Sequence, residues 1–296
     1  MATVGFIGVG VMGGPMARNL MRGGHAVQAF DLAAEALEAL AADGAVAAGS
    51  AAEAAGGAEA VITMLPAGEY VKAAVFGADG VVEGLAPEAL YIDMSTILPA
   101  HTDEIGAALK ERGVAMIDAP VGRPQSHAVT GTLLIMVGGA TADVERARPL
   151  LDCMGDTIVH CGPLGMGARM KVINNYQAIA LNVLTAETLT LAEASGLDVG
   201  VALEVMGGTV AGRGHMATTY PDKVLKGDLE PGFMVDLAHK DLGLALELAA
   251  QCSVPTTLGA VARQVYARAQ TRGYGRRDWT SIYPTVRELA GLPDAS

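Results

Sequence analysis

The chain has 296 residues, 20 Lys+Arg against 32 Asp+Glu, and a formal charge of -12. A balance this acidic excludes a broad electrostatic grip on nucleic acid or on an anionic membrane. The length allows one large core or, more in keeping with domain sizes, two modest ones, and a content of 51% hydrophobic but only 4% aromatic residues suits packed helices.

From the start to about His160, short β-rich runs alternate with Ala, Leu and Glu stretches of helical length. Strands are predicted at 3–7, 26–31, 60–64, 90–94, 114–118, 133–137 and 157–160, most of them apolar throughout, as for strands covered on both faces. The alternation predicts a doubly wound, mostly parallel Rossmann sheet in an α/β domain. After Gly162-Pro163-Leu164-Gly165 it stops, and the rest reads as helix punctuated by Gly207-Gly208, Pro221, Pro231 and Pro255. The expected organisation is therefore 1–162, a dinucleotide-binding domain, and 163–296, an all-α domain for substrate and assembly. A first helix from about 166 to 194, broken at Ser195-Gly196, would run roughly 40 Å and join the two.

The first strand opens directly into Gly8-Val9-Gly10-Val11-Met12-Gly13, a Gly-x-Gly-x-x-Gly turn leading into a helix. In that position Gly8 permits the tight turn, Gly10 lets a pyrophosphate approach the backbone, and Gly13 lets helix pack on strand. The free N–H groups and the helix dipole face the phosphates. The second strand ends at Asp31, near the roughly 20-residue offset at which an acidic side chain takes the ribose hydroxyls. An aspartate there repels a 2′-phosphate, and Leu32-Ala33-Ala34 offers no neutralising cation, so NAD(H) is expected over NADP(H).

Four segments, the glycine turn among them, carry a family resemblance. Gly5-Phe6-Ile7-Gly8-Val9-Gly10-Val11-Met12-Gly13, Asp118-Ala119-Pro120-Val121 running to Gly131-Thr132-Leu133, Gly162-Pro163-Leu164-Gly165-Met166-Gly167 leading to Lys171 and Asn175, and Lys240-Asp241-Leu242 together resemble the β-hydroxyacid dehydrogenases, the group of 3-hydroxyisobutyrate dehydrogenases, along nearly the whole chain. The resemblance implies that the second segment shapes the substrate pocket, that Lys171 is catalytic, and that Lys240 lies near the nicotinamide. It also implies cofactor contacts from Met64-Leu65-Pro66 and from Ser95-Thr96, with Thr96 shared by the substrate, and assembly into a homodimer or homotetramer.

Lys171, Asn174 and Asn175 fall at i, i+3 and i+4, one face of a helix. Without the resemblance, a lysine snorkelling from a helix start is as good a reading. With it, Lys171 stabilises charge growing on a carbonyl oxygen and donates a proton, while Asn175, supported by Asn174, holds lysine and substrate in place. A reference lysine pKa of about 10.4 makes Lys171 ready as an acid for reduction, and alcohol oxidation should favour alkaline pH.

At the substrate loop the chain leaves its family's pattern. Where relatives carry Ser-Gly-Gly after Asp-Ala-Pro-Val, this sequence reads Gly122-Arg123-Pro124-Gln125-Ser126-His127. Arg123 offers a forked cation that suits a carboxylate or a larger tetrahedral anion such as a sulfonate. With Gly212-Arg213-Gly214-His215, the variant looks like the sulfolactaldehyde reductase branch, whose members reduce 3-sulfolactaldehyde with NADH. Pro124 and Gln125 depart from the small hydroxylated residues of that branch.

The expected activity is NADH-dependent reduction of a short anionic aldehyde, 3-sulfolactaldehyde to 2,3-dihydroxypropane-1-sulfonate first, with succinic or 3-hydroxyisobutyrate-type semialdehydes as the alternative. Lys171 argues against imine reduction, and Lys171, Asn175 and Lys240 together against a non-catalytic dinucleotide sensor. His215 either closes over the site or caps a helix.

No metal is expected, because the six histidines are scattered without ligand spacing. Three cysteines, Cys153, Cys161 and Cys252, form no Cys-x-x-Cys pair, and with no signal-peptide pattern or apolar run of about 18 residues they point to a soluble, cytoplasmic protein.

Overall fold

The computed structural model describes residues 1–194, 196–208, 214–215, 218–251 and 257–292, so that Ser195, Gly212, Arg213, Cys252 and Pro255 lie outside the described residues. The chain divides into two compact units, Met1–Lys171 and Val172–Ser296.

The first unit carries the strands β1 (Thr3–Ile7), β2 (Ala26–Phe30), β3 (Val46–Ala47), β4 (Ala60–Thr63), β5 (Leu90–Asp93), β6 (Ala115–Asp118), β7 (Val121–Gly122), β8 (Leu133–Gly138) and β9 (Gly155–Gly162). They form one sheet in the order β3-β2-β1-β4-β5-β6-β8-β7, with β9 beside β8. Pairing is parallel from β3 through β6, β8 runs antiparallel to β6 and β7, and β9 is parallel to β8. The expected strands are all present. Those not anticipated, β3 and β7, are two residues long, too short to show a periodicity, and Val46 of β3 is exposed.

Alternate residues of each central strand enter different cores. Val4, Phe6, Ala60, Ile62, Leu90 and Ile92 pack on one face, and Ile7, Val61 and Tyr91 on the other. With both faces covered, a period of two produces continuous apolar runs. The first face is covered by α1 (Gly13–Arg22) and α8 (Thr141–Met154) through Met16, Leu20, Leu150, Leu151 and Met154. Helices α2 (Ala34–Ala42), α3 (Ala51–Ala55), α4 (Gly68–Phe76), α5 (Val81–Gly84), α6 (Pro99–Glu111) and α7 (Gln125–Thr130) complete the unit. Ala54 of α3, Val71 and Val75 of α4, and Ile105 and Leu109 of α6 bury the second face. The chain order reverses between β1 and β4, the switch point outside whose carboxyl strand ends ligands of such sheets bind.

Helix α9 (Met166–Ala194) has the bounds expected from the sequence, and the division between units falls within it, after Lys171. The second unit continues with α10 (Val199–Gly207), α11 (Thr219–Asp222), α12 (Val235–Gln251), α13 (Thr257–Thr271) and α14 (Ile282–Leu289), and no strand occurs among its described residues. Its core joins Ile179 and Val183 of α9, Val235 and Leu242 of α12, Tyr266 of α13 and Tyr283 of α14. Among the described residues no helix is long and apolar enough to cross a membrane, and no cluster of three His, Cys, Asp or Glu side chains could hold a metal.

Candidate active site

The glycine turn joins β1 to α1, and its three glycines serve different ends. Gly8 has φ +93°, and a Cβ there would lie 2.8 Å from Leu65 Cδ2 and far inside contact with the Met64 carbonyl. At Gly13 a Cβ would overlap the Gly8 carbonyl and approach Phe6 Cε1 to 3.0 Å, so helix and strand could not close. Gly10 is the exception, since a Cβ there meets no atom of the described residues beyond its chain neighbours within 4 Å. Packing among the described residues does not require this glycine, whereas a ligand approaching the backbone would. The first turn of α1 has no side-chain cap and no acidic residue, which leaves its partial positive charge for an anion. Val11 is exposed beside it. Asp31 follows β2 and accepts hydrogen bonds from Val9 N–H at 2.7 Å and Ala33 N–H at 2.8 Å, so its carboxylate is fixed against the turn. A turn with room at Gly10, an uncapped helix start and a fixed carboxylate at the end of β2 fit a dinucleotide.

The neighbouring loops are held by a buried network. Thr63 Oγ1 donates to Asp93 Oδ1 at 2.9 Å and lies 2.7 Å from the Tyr91 hydroxyl. Ser95 N–H donates to the same Asp93 oxygen, and Ser95 Oγ accepts from Leu65 N–H at 3.0 Å. Met64, Leu65 and Pro66 after β4 are thereby tied to Ser95 and Thr96 after β5. The cofactor residues expected on the first four central strands thus gather at the carboxyl ends of adjacent strands. Burial lifts the Asp93 carboxyl from 3.8 to about 6, opposed by its hydrogen bonds from Ser95 and Thr63.

Asp118 ends β6 directly across from Asp93 on β5. The resemblance placed its segment around the substrate, but its carboxylate is turned to the start of α9, accepting from Gly165 N–H and Ala168 N–H, each at 2.6 Å. Lys171, half-buried, follows three residues later. Burial also raises Asp118 from 3.8 to about 6, against the lowering effect of these two bonds. The only sequence signal for either carboxylate is an acidic residue closing an otherwise apolar strand. Arg169 adds a tether at 2.7 Å to Asp103 of α6.

The substrate loop departs from the simplest expectation. Arg123 has φ +74°, a conformation that favours glycine, which explains why the family pattern places glycine there. Its guanidinium donates to the Thr132 carbonyl at 2.5 Å, to Asp156 at 2.6 Å and to Thr157 Oγ1 at 3.1 Å. Three of five N–H donors are taken, and Asp156 neutralises part of the charge. Gly122 is buried beside it in β7, and Pro124 precedes α7. His127 Nδ1 lies 2.8 Å from Thr132 Oγ1 and Ser126 offers its carbonyl to Thr130, so both belong to the loop's own fabric.

In the second unit, Asn175 of α9 is buried and donates through Nδ2 to Asp241 Oδ2 of α12, at 2.5 Å. Asp241, 3% exposed, also pairs through Oδ1 with Lys240 Nζ at 3.1 Å. One carboxylate therefore joins two expected site residues, a role the sequence reading did not give it. Asn174 is exposed, with Nδ2 3.4 Å from Asn175 Oδ1. Of the two roles open for His215, the geometry favours a structural one. Its Nε2 lies 2.9 Å from the Ala178 carbonyl and its ring meets Trp279 edge-on at 4.9 Å. Burial lowers its pKa, against the raising effect of the Ala178 carbonyl and Asp278.

Comparison with known proteins matches residues 3–162 to the NAD binding domain of 6-phosphogluconate dehydrogenase and residues 165–286 to the NAD-binding domain of NADP-dependent 3-hydroxyisobutyrate dehydrogenase. The 3-sulfolactaldehyde reductase of Escherichia coli K12 is 52% identical over 292 residues, 99% of this chain and 98% of the relative. The NAD-dependent L-serine dehydrogenase of Pseudomonas aeruginosa is 40% identical, covering 95% of this chain and 97% of its own. Among solved structures, Mycobacterium tuberculosis 3-hydroxyisobutyrate dehydrogenase with L-serine superimposes with a TM-score of 0.90 at 36% identity, over 97% of this chain and 99% of that one.

Proposed function

The chain belongs to the 3-hydroxyisobutyrate dehydrogenase family of NAD(P)-binding oxidoreductases acting on CH–OH groups, and from that premise we propose that it is an NADH-dependent reductase of a short anionic aldehyde, 3-sulfolactaldehyde first. The observation that carries this reading is the full-length, 52% likeness to the Escherichia coli 3-sulfolactaldehyde reductase. The Gly122-Arg123 departure from the common family loop supports it.

In this reading residues 1–162 hold the cofactor and 163–296 serve substrate and assembly into a homodimer or homotetramer. The turn from Gly8 to Gly13, Asp31, Met64 to Pro66, Ser95, Thr96 and Lys240 bind the nicotinamide dinucleotide, which supplies the hydride. Lys171 places an ammonium against the carbonyl oxygen, stabilises the charge that grows there and delivers the proton that completes the alcohol. Asn175, with one amide N–H held by Asp241, uses its remaining groups with Asn174 to orient the substrate, and Thr96 serves substrate as well as cofactor. Gly122, Arg123 and Pro124 form the anion end, where Arg123 offers the two N–H donors left over from its contacts with Thr132, Asp156 and Thr157. Preference for NADH rests on Asp31, whose fixed carboxylate would meet a 2′-phosphate with like charge.

The test is NADH oxidation with 3-sulfolactaldehyde, succinic semialdehyde, methylmalonate semialdehyde and tartronate semialdehyde, wild type beside Arg123→Ser. Turnover of the sulfonate, with a KM raised about tenfold or more in the variant, is the expected result. Full activity of Arg123→Ser on every anionic aldehyde would remove Arg123 as the anchor, and wild-type turnover of carboxylates alone would replace the substrate.

A further inference from the structure

A helix that starts with Gly165-Met166-Gly167-Ala168 has no side chain with which to cap itself. The two N–H groups at issue, of the residue preceding the helix and of its third residue, are those that a local Ser-x-x-Glu box would satisfy. Gly165 and Ala168 occupy those positions, and both donate instead to the single carboxylate of Asp118, 47 and 50 residues earlier in the chain. The carboxylate is 1% exposed. The space around it is closed at two glycines. A Cβ on Gly167 would lie 2.9 Å from both Asp118 Oδ2 and the Asp118 carbonyl, and a Cβ on Gly138 would lie 2.8 Å from the backbone nitrogens of Met166 and Gly167. Glycine at 138 and 167 lets the helix start seat directly on β6 and β8, and Gly165, at φ +86°, turns the chain into it.

We propose that Asp118 is the positioning residue of Lys171: from the end of β6 it grips both ends of the first turn of α9 and so fixes the point from which the lysine side chain projects. This rests on Lys171 as the proton donor. A carboxylate suits the task because it accepts at both oxygens, and each bond from a backbone N–H to a charged acceptor is stronger than its neutral counterpart. Its burial is costly on other grounds, which fits a group retained for placement. The strand partner across the sheet, Asp93, organises the loops after β4 and β5 through Thr63 and Ser95.

The experiment is Asp118→Asn in the full chain. The amide keeps the shape but offers one acceptor oxygen to two donors, so either Gly165 or Ala168 loses its partner. The expected outcome is a kcat lower by about 10- to 100-fold, the scale of a misplacement near 1 Å, with KM and the NADH dissociation constant within about twofold of wild type. Hydrogen exchange should quicken in the peptide covering 165–171 and not in β1 or α1. A kcat within twofold of wild type overturns the proposal when Lys171→Met is inactive. So does a parallel loss of NADH binding and kcat, the mark of general damage. Should Lys171→Met keep wild-type turnover, the proton-donor reading fails first and the positioning role falls with it. If Asp118→Asn does not fold, wild-type exchange decides. First-turn amides of a helix ordinarily lack partners, and Ala168 N–H should instead be as protected as the interior of α9; exchange at the rate of a free helix start overturns the proposal.

Discussion

Substituting Gly10 and Gly13 separately distinguishes a glycine kept for a ligand from one kept for the fold. A methyl group at Gly10 meets no atom of the described residues beyond its chain neighbours within 4 Å, and Gly→Ala at a compatible backbone stabilises by about 0.4–1 kcal/mol through the unfolded chain. Gly10→Ala should therefore melt at the wild-type temperature or slightly above. The same methyl would stand where a pyrophosphate must approach the backbone, and losing one hydrogen bond from a backbone N–H to a charged oxygen costs about 1.5–3 kcal/mol. That is a rise of roughly 10- to 100-fold in the NADH dissociation constant, readable by fluorescence titration. Gly13→Ala differs. Its Cβ overlaps the Gly8 carbonyl and crowds Phe6 at 3.0 Å, an overpacking of about 1–3 kcal/mol that should lower the melting temperature by several degrees. Wild-type NADH binding by Gly10→Ala, or a lower stability than Gly13→Ala, would refute a ligand role for Gly10.

Asp31→Ser removes the carboxylate that accepts from Val9 and Ala33; on the proposed reading that charge repels a 2′-phosphate, so the NADPH-to-NADH ratio of kcat/KM should rise at least about tenfold, and an unchanged ratio would show that Asp31 does not select the cofactor. Burial holds the Asp93 carboxyl at about 6 in the folded chain, above its ordinary 3.8. Between those values the folded state binds the proton and the unfolded state releases it, so stability falls as pH rises through about 4 to 6 and the cost is complete above. At 1.36 kcal/mol per pH unit this reaches about 3 kcal/mol. Asp93→Asn keeps an oxygen for Thr63 and Ser95 and should flatten that slope in denaturant titrations from pH 4 to 8; superimposable curves would contradict it.

Much of the cofactor half was legible in the sequence because its signals are local. The turn from Gly8 to Gly13 lies between a strand and a helix, and Asp31 closes the next strand. Helix α9 was legible to its ends because nothing between Met166 and Ala194 interrupts it. What stayed hidden depends on contacts between distant segments. Asp118 reaches Gly165 across 47 residues and Asp241 reaches Asn175 across 66, and no periodicity carries such pairings. The ion pair of Arg123 with Asp156 was hidden for the same reason. Its left-handed backbone was foreshadowed only by the glycine that relatives carry at that position. The edge strands β3 and β7 are too short to announce themselves.

Whether the site grips a sulfonated aldehyde is decided by kcat/KM with NADH for 3-sulfolactaldehyde against succinic semialdehyde on one preparation. A site built for the tetrahedral anion should favour the sulfonate by at least about tenfold, near 1.4 kcal/mol of differential transition-state binding. Equal values, or a preference for the carboxylate, would contradict it.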